Sequence, residues 1–215
     1  MAISLGADMV EVDTHSTKDG KLVVIHDADV DRTTNGRGAI KEMSLLQISK
    51  LDAGKGEKVP TLQEVLRLSR NKIGLMIEIK GLGIERSLVE LLQAENATEQ
   101  VIVTSFMSDA IRKVKKMNDL IQTGQIFSWK IPDVAQKALE LKTSCMVPQY
   151  ALVTNEIVKE LHAHHLSIFT WTVNSPSAAK RLLTIGVDGI ITNRPDLLTK
   201  KKKIGLGRKN KKGGK

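Results

Sequence analysis

Met9-Val10-Glu11-Val12-Asp13-Thr14-His15-Ser16-Thr17-Lys18-Asp19-Gly20-Lys21-Leu22-Val23-Val24-Ile25-His26 decides how this chain is read. Two apolar, β-branched runs, Met9–Asp13 and Leu22–His26, flank a polar gap too short for a crossover helix. Asp19-Gly20 inside that gap is a two-residue hairpin turn, because both central positions want positive φ. Such a turn places residues whose numbers sum to 39 opposite one another, so that Asp13 faces His26. Side chains alternate along a strand, which puts Glu11 and Asp13 on one face and Val10 and Val12 on the other. The turn thus predicts that Glu11, Asp13 and His26 converge.

Outward from the hairpin, strand and helix patterns alternate. Apolar runs at Leu75–Ile79, Val101–Phe106, Gln122–Phe127, Cys145–Gln149, Ser167–Val173 and Gly189–Thr192 read as strands. Helical periodicity marks Thr61–Ser69, Ile84–Ala94, Asp109–Met117, Ile131–Leu141, Asn155–His164 and Ser175–Ile185. Thr61 with Glu64 is a capping-box pair, and Ser175-Pro176 is a cap followed by proline at the first helical position. The order argues for a parallel α/β sheet of seven strands, with Leu22–His26 as an arm and residues 27–60 as an excursion. Seven is one fewer than a (β/α)8 barrel requires. The opening Met1–Ala7 looks like the end of a helix running into a strand, so a barrel missing its first strand and most of its first helix is expected, with an open sheet as the alternative.

Composition bounds the function. The net charge of +9 is local: nine of the 33 basic residues lie in the acid-free stretch from Lys200 to Lys215, and the remainder balance the 24 acidic ones. Residues 1–199 therefore read as one nearly neutral domain and 200–215 as a disordered basic tail. That tail is a candidate contact for nucleic acid or anionic membrane, although no aromatics interleave its lysines. Cys145 stands alone, which excludes an intrachain disulfide. With no apolar run of spanning length and no secretory leader pattern, a cytoplasmic location is the default expectation. Gly-x-Ser-x-Gly and phosphate-loop spacings are absent.

The chemistry lies in charged groups on apolar strands. Glu11, Asp13 and Glu78 interrupt Val-Glu-Val-Asp and Met-Ile-Glu-Ile-Lys. Burying ionised carboxylates costs several kcal/mol each unless they are paired or bound to metal. Three oxygen donors suit calcium or magnesium better than zinc. Lys80 shares the face of Glu78 and is either a point charge for phosphate or an ion-pair partner of Glu78. His26 ends its strand as a candidate acid/base group. His162, His164 and His165 read as a surface helix end, where cations complement the dipole. Trp129 is either a pocket residue or a packing residue.

In this setting the chain resembles the glycerophosphodiester phosphodiesterases. The resemblance runs through Gly6–Asp13, Thr17–Gly20, Val24–Asp27, Asp31–Thr34, Val59–Leu66, Glu78–Lys80, Ser105-Phe106, Trp171–Asn174 and Gly186–Thr192, in order. It implies a TIM-type (β/α)8 barrel that hydrolyses small glycerophosphodiesters to sn-glycerol 3-phosphate and an alcohol with Ca2+ or Mg2+. It implies that Glu11, Asp13 and Glu78 are the metal ligands and His26 one of two acid/base histidines. Lys80 would then lie beside the phosphate, and Trp171 at the pocket wall. In the family mechanism the glycerol 2-hydroxyl can attack first, giving a cyclic phosphate. The chain departs from the family in having no His-Arg-Gly strand and no Pro-Glu-Asn-Thr, which ordinarily bring the second histidine and a phosphate-binding arginine. Reduced activity is the expectation that follows. Beside the enzyme stand two alternatives: a barrel that binds metal and phosphate ligands without turnover, and a tether working through the tail.

Overall fold

The computed structural model describes residues 2–199; the basic tail lies outside the described residues. Eight strands form one sheet in the order β2-β1-β3-β4-β5-β6-β7-β8. Strands β1 (Met9–Ser16), β3 (Gly74–Ile79), β4 (Val101–Ser105), β5 (Gln122–Phe127), β6 (Cys145–Pro148), β7 (Ser167–Thr170) and β8 (Gly189–Ile190) run parallel. Only β2 (Leu22–Val24) is antiparallel, as an arm on β1. Helices α3 (Glu85–Ala94), α4 (Ser108–Met117), α5 (Val134–Leu141), α6 (Asn155–Ala163) and α7 (Pro176–Ile185) make the crossovers. α2 (Leu62–Ser69) precedes β3, while α1 (Leu45–Ile48) lies in the excursion and α8 (Pro195–Thr199) follows β8. No helix among the described residues is long and apolar enough to cross a membrane.

Period two sorts every strand into two faces. Leu75, Ile77 and Ile79 join Leu88, Leu92, Val101 and Val103 in the layer between sheet and helices. Met76, Ile102, Ile126, Cys145 and Val147 fill the concave interior. Gly124 is required there: a Cβ would stand 2.6 Å from Cys145 Sγ and 3.2 Å from Thr104 Cγ2. Burial pushes the Cys145 thiol up to about 12, which makes it an inert packing group.

The caps explain where helices start. Thr61 and Glu64 form the reciprocal capping box expected of them. Asp133 accepts a hydrogen bond from Gln136 N at 2.8 Å, so α5 begins at Val134, three residues later than its periodicity suggests. Pro176 occupies the first turn of α7, but the Ser175 hydroxyl meets Ser177 Oγ at 2.8 Å and does not cap the helix. Before β1, Ala7 N bonds Ala2 O, Gly6 N bonds Ile3 O, and Gly6 sits at φ 77°. Those are the hydrogen bonds of a helix C-terminal cap.

The hairpin differs from its expected register. Its partners are Thr14 with Val24, His15 with Val23 and Ser16 with Leu22, pairs that sum to 38. Thr17 N bonds Lys21 O, so the loop holds three residues, Lys18-Asp19-Gly20, with Gly20 at φ 75°. Thr17 Oγ1 donates to Asp19 Oδ1 at 2.6 Å and accepts from Lys21 N at 2.9 Å, which favours the longer loop over a two-residue turn. Asp13 consequently meets Ile25, whose N donates to Asp13 O at 3.0 Å.

Opposite the strand C-termini, the buried Glu95 binds Arg67, Arg70 and Gln63. The Arg67 hydrogen bonds above all, then Gln63, hold its carboxyl down to about 2. A depressed acid stabilises the fold above its ordinary value of 4.5 and loses that contribution as pH falls through about 2. Glu95→Gln is therefore expected to lower Tm at neutral pH, with the difference from wild type closing as pH falls from 4.5 towards 2, as read by thermal denaturation.

Candidate active site

The C-terminal ends of the parallel strands enclose a cavity of about 350 Å³. β1 and β3 pair so that Asp13 lies directly beside Glu78, with Glu11 two residues before Asp13 on the same face. Oxygens of Glu11, Asp13 and Glu78 lie within 4.8 Å of one another, the only such group of three among the described residues. Burial foremost, then the charges of Asp13 and Glu78, push the Glu11 carboxyl up to about 8. Glu78 is also raised, mainly by burial, against the opposing pull of Lys80.

Lys80 answers this charge. Its Nζ is 3.0 Å from Glu78 Oε1 and 3.4 Å from Asp13 Oδ1. Burial disfavours the ammonium, but the Glu78 hydrogen bond and the two carboxylate charges outweigh it and raise the group above its ordinary value. Lys80 is thus an ion-pair partner of Glu78 and Asp13, and it also lines the cavity.

Three carboxylates served by one ammonium carry an excess of negative charge in a half-buried site, and all their donor atoms are oxygens. That set fits a hard divalent cation. Thr104 also lines the cavity, while its hydroxyl is buried beneath that surface with no hydrogen-bond partner among the described residues.

The other expected residues reach the same cavity by different routes. His26 lies beyond the end of β2 and lines it, although no longer opposite Asp13. Trp171, just past β7, forms a wall; its Nε1 donates to Val147 O at 3.0 Å, which sets the ring. Phe106 meets Trp171 edge-on at 5.5 Å, and Lys80 Nζ lies 6.0 Å from the Phe106 centroid. Trp129 is half exposed and tilts against Phe106 at 6.4 Å, so it packs on a lining residue without lining the cavity itself. His162, in the last turn of α6, is hydrogen-bonded to Asp188 Oδ2 at 2.9 Å and does not line the cavity.

Thr104, Phe106 and Asn193 line the cavity without having been singled out as site residues. Thr104 and Phe106 continue the inward alternation of Ile102, which was the available signal for both. Asn193 follows β8 in a turn built on Asn174 Oδ1, which accepts from Asn193 N at 3.0 Å; nothing local in the sequence marks it.

A parallel α/β sheet with acids at its strand C-termini is the build of a TIM-type barrel enzyme. The chain belongs to the glycerophosphoryl diester phosphodiesterase family, whose model matches residues 1–197. That membership places it among the phosphoric diester hydrolases. A glycerophosphodiester phosphodiesterase of Caldanaerobacter subterraneus is 40% identical over 210 residues, covering 92% of this chain and 86% of that protein. One from Bacillus subtilis is 36% identical over 231 residues, with 94% and 79% covered. A phosphodiesterase of Oleispira antarctica, solved with its product sn-glycerol-3-phosphate, superposes with a TM-score of 0.88 at 24% identity, covering 94% and 87%.

The raised Glu11 would couple to pH any cation binding at this carboxylate cluster. An acid raised from 4.5 to about 8 takes up a proton on folding within that window, so the metal-free protein loses stability as pH rises through it. A divalent ion on the three carboxylates displaces that proton. The rise in Tm on adding Mg2+ or Ca2+ is therefore expected to grow from pH 4.5 towards about 8 and to be abolished in Glu11→Ala.

Proposed function

We propose that residues 1–199 form the catalytic unit of a metal-dependent enzyme that hydrolyses small glycerophosphodiesters to sn-glycerol 3-phosphate and an alcohol. The observation that carries this reading is the convergence of Glu11, Asp13, Glu78, Lys80, His26 and Trp171 on one cavity. Its volume, about 350 Å³, lies near the small end of ligand pockets, about 300–1,000 Å³, and suits a compact diester. The names of the Caldanaerobacter and Bacillus relatives and the product bound by the Oleispira protein support the same substrate class.

In this reading Glu11, Asp13 and Glu78 hold Ca2+ or Mg2+. The ion, when bound, neutralises charge on phosphoryl oxygens and acidifies a hydroxyl next to it. Lys80, which lines the cavity beside the carboxylates, presents its ammonium to the phosphate. Trp171 and Phe106 give the carbon skeleton an apolar wall and narrow the access of water. His26 exchanges the proton that must leave the attacking hydroxyl or reach the departing alkoxide, a role that contributes about 10²–10⁴-fold.

A second reading, ligand binding with little turnover, draws on one observation: His26 is the only histidine among the described residues that lines the cavity. A mechanism with separate acid and base histidines has one of them here.

The two separate in one assay of glycerol 3-phosphate release from glycerophosphocholine and glycerophosphoethanolamine. The enzyme reading expects turnover with Ca2+ or Mg2+, loss with chelator and with Glu11→Ala, and a fall of about 10²–10⁴-fold in His26→Ala. Saturable binding of glycerol 3-phosphate without release from either diester favours the second reading. Undiminished turnover in Glu11→Ala would sink the metal assignment.

A further inference from the structure

His26 stands where β2 gives way to the 27–60 excursion, and its ring is held from the excursion. Its Nδ1 lies 2.7 Å from Asp27 Oδ1. Asp27 also accepts two hydrogen bonds from Arg32, Nε to Oδ2 at 2.6 Å and Nη2 to Oδ1 at 2.9 Å. The guanidinium foremost, then His26, holds the Asp27 carboxyl well below its usual range. At neutral pH Asp27 is therefore a carboxylate, which only accepts. An acceptor-only partner requires the proton on Nδ1 of His26. Nε2, across the ring, has no protein partner among the described residues, and His26 lines the cavity.

The surroundings hold this chain of contacts still. His15, itself buried, donates from Nε2 to the His26 carbonyl at 3.1 Å. On the Arg32 side, Asp29 Oδ1 accepts from Asp31 N, Asp31 Oδ1 accepts from Gly38 N at 2.8 Å, and Thr34 N bonds Val30 O. Val30 is fully buried with Val23, Ile25, Ile40, Ile48 and Val59, a small core under the hairpin. The Arg32 side chain is 63% exposed, and an exposed ion pair contributes little to stability. A two-pronged grip on the one carboxylate that binds His26 is better explained by orientation, for which a planar guanidinium is suited and an ammonium is not.

We infer that Arg32 and Asp27 are positioning residues: Arg32 clamps Asp27, and Asp27 fixes the tautomer and orientation of His26 so that Nε2 is the nitrogen exchanging a proton in the cavity. The inference rests on the proposed acid/base role of His26 and gives the excursion a purpose in the reaction. It acts through His26; neither residue touches the substrate.

The test uses the full chain labelled with 15N-histidine. Long-range 1H–15N spectra, recorded where the ring is neutral, are expected to show His26 with its proton on Nδ1. In Asp27→Asn the carboxamide can donate to Nδ1, and the proton is expected to move to Nε2; Arg32→Ala is expected to give a mixture. With glycerophosphocholine and Mg2+, Asp27→Asn is expected to lower kcat about 10²–10⁴-fold. Arg32→Ala is expected to lower it about 10- to 100-fold with little change in KM, and Arg32→Lys to restore only part. A proton on Nε2 in the wild type, or an Arg32→Ala variant unchanged in both spectrum and kcat, would overturn the inference. A fall in Tm with kcat intact would do the same, since it would mark the clamp as merely structural. The spectra need no turnover: a silent enzyme with the expected tautomer counts against the proposed reaction and leaves the positioning standing.

Discussion

The register between β1 and β3 is the constraint on which the rest of the site depends. It sets Asp13 against Glu78 and turns Glu11, Met76 and Lys80 to the same concave face. A slip of one residue would exchange the faces of β1, carrying Val10 and Val12 inward and the carboxylates into the apolar layer beneath the helices. Hydrophobic burial on the convex side therefore enforces a concentration of negative charge on the concave side. Burial, reinforced by that charge, gives a Glu11 that holds its proton to about 8, and the charge draws Lys80 between Glu78 and Asp13.

The barrel supplies the acids, the lysine and the aromatic wall from strand ends, whereas the histidine comes from a different mount. The hairpin arm brings His26 to the rim, and the excursion, with a small core of its own, holds the Asp27 and Arg32 that grip the imidazole. Ligands to a cation need only converge and be oxygen; a proton-exchanging ring must also present one particular nitrogen. The division of labour between rigid strands and a clamped rim follows from those different demands.

Much of this was legible in local patterns. Short apolar, β-branched runs marked every parallel strand, and the Thr61–Glu64 pair marked the start of α2. Carboxylates amid valines and isoleucines stood out because burying them uncompensated is so costly. The hairpin was less legible. Asp19-Gly20 fits a two-residue turn, and only the Thr17 hydroxyl, bonding both Asp19 and Lys21, selects the three-residue loop and moves the register by one. His26 still reaches the cavity because it lies past the paired part of β2, where the ladder no longer dictates the direction of its side chain.

The sequence by itself determined the parallel α/β class, the shared face of Glu11 and Asp13 and that of Glu78 and Lys80, and the residue types for binding a hard cation near phosphate. Those are matters of periodicity and of the cost of burying charge, which act over a few neighbouring residues. Tertiary structure alone decided that Lys80 reaches Asp13 as well as Glu78, that the Thr104 hydroxyl is buried without a partner among the described residues, and that Asn193 joins the rim. It also decided that Arg32 reaches His26 through Asp27. The Asp13 contact of Lys80 and the place of Asn193 depend on segments that meet only when the sheet curves, whereas the Asp27 and Arg32 contacts lie within one short stretch and depend on how the excursion turns there.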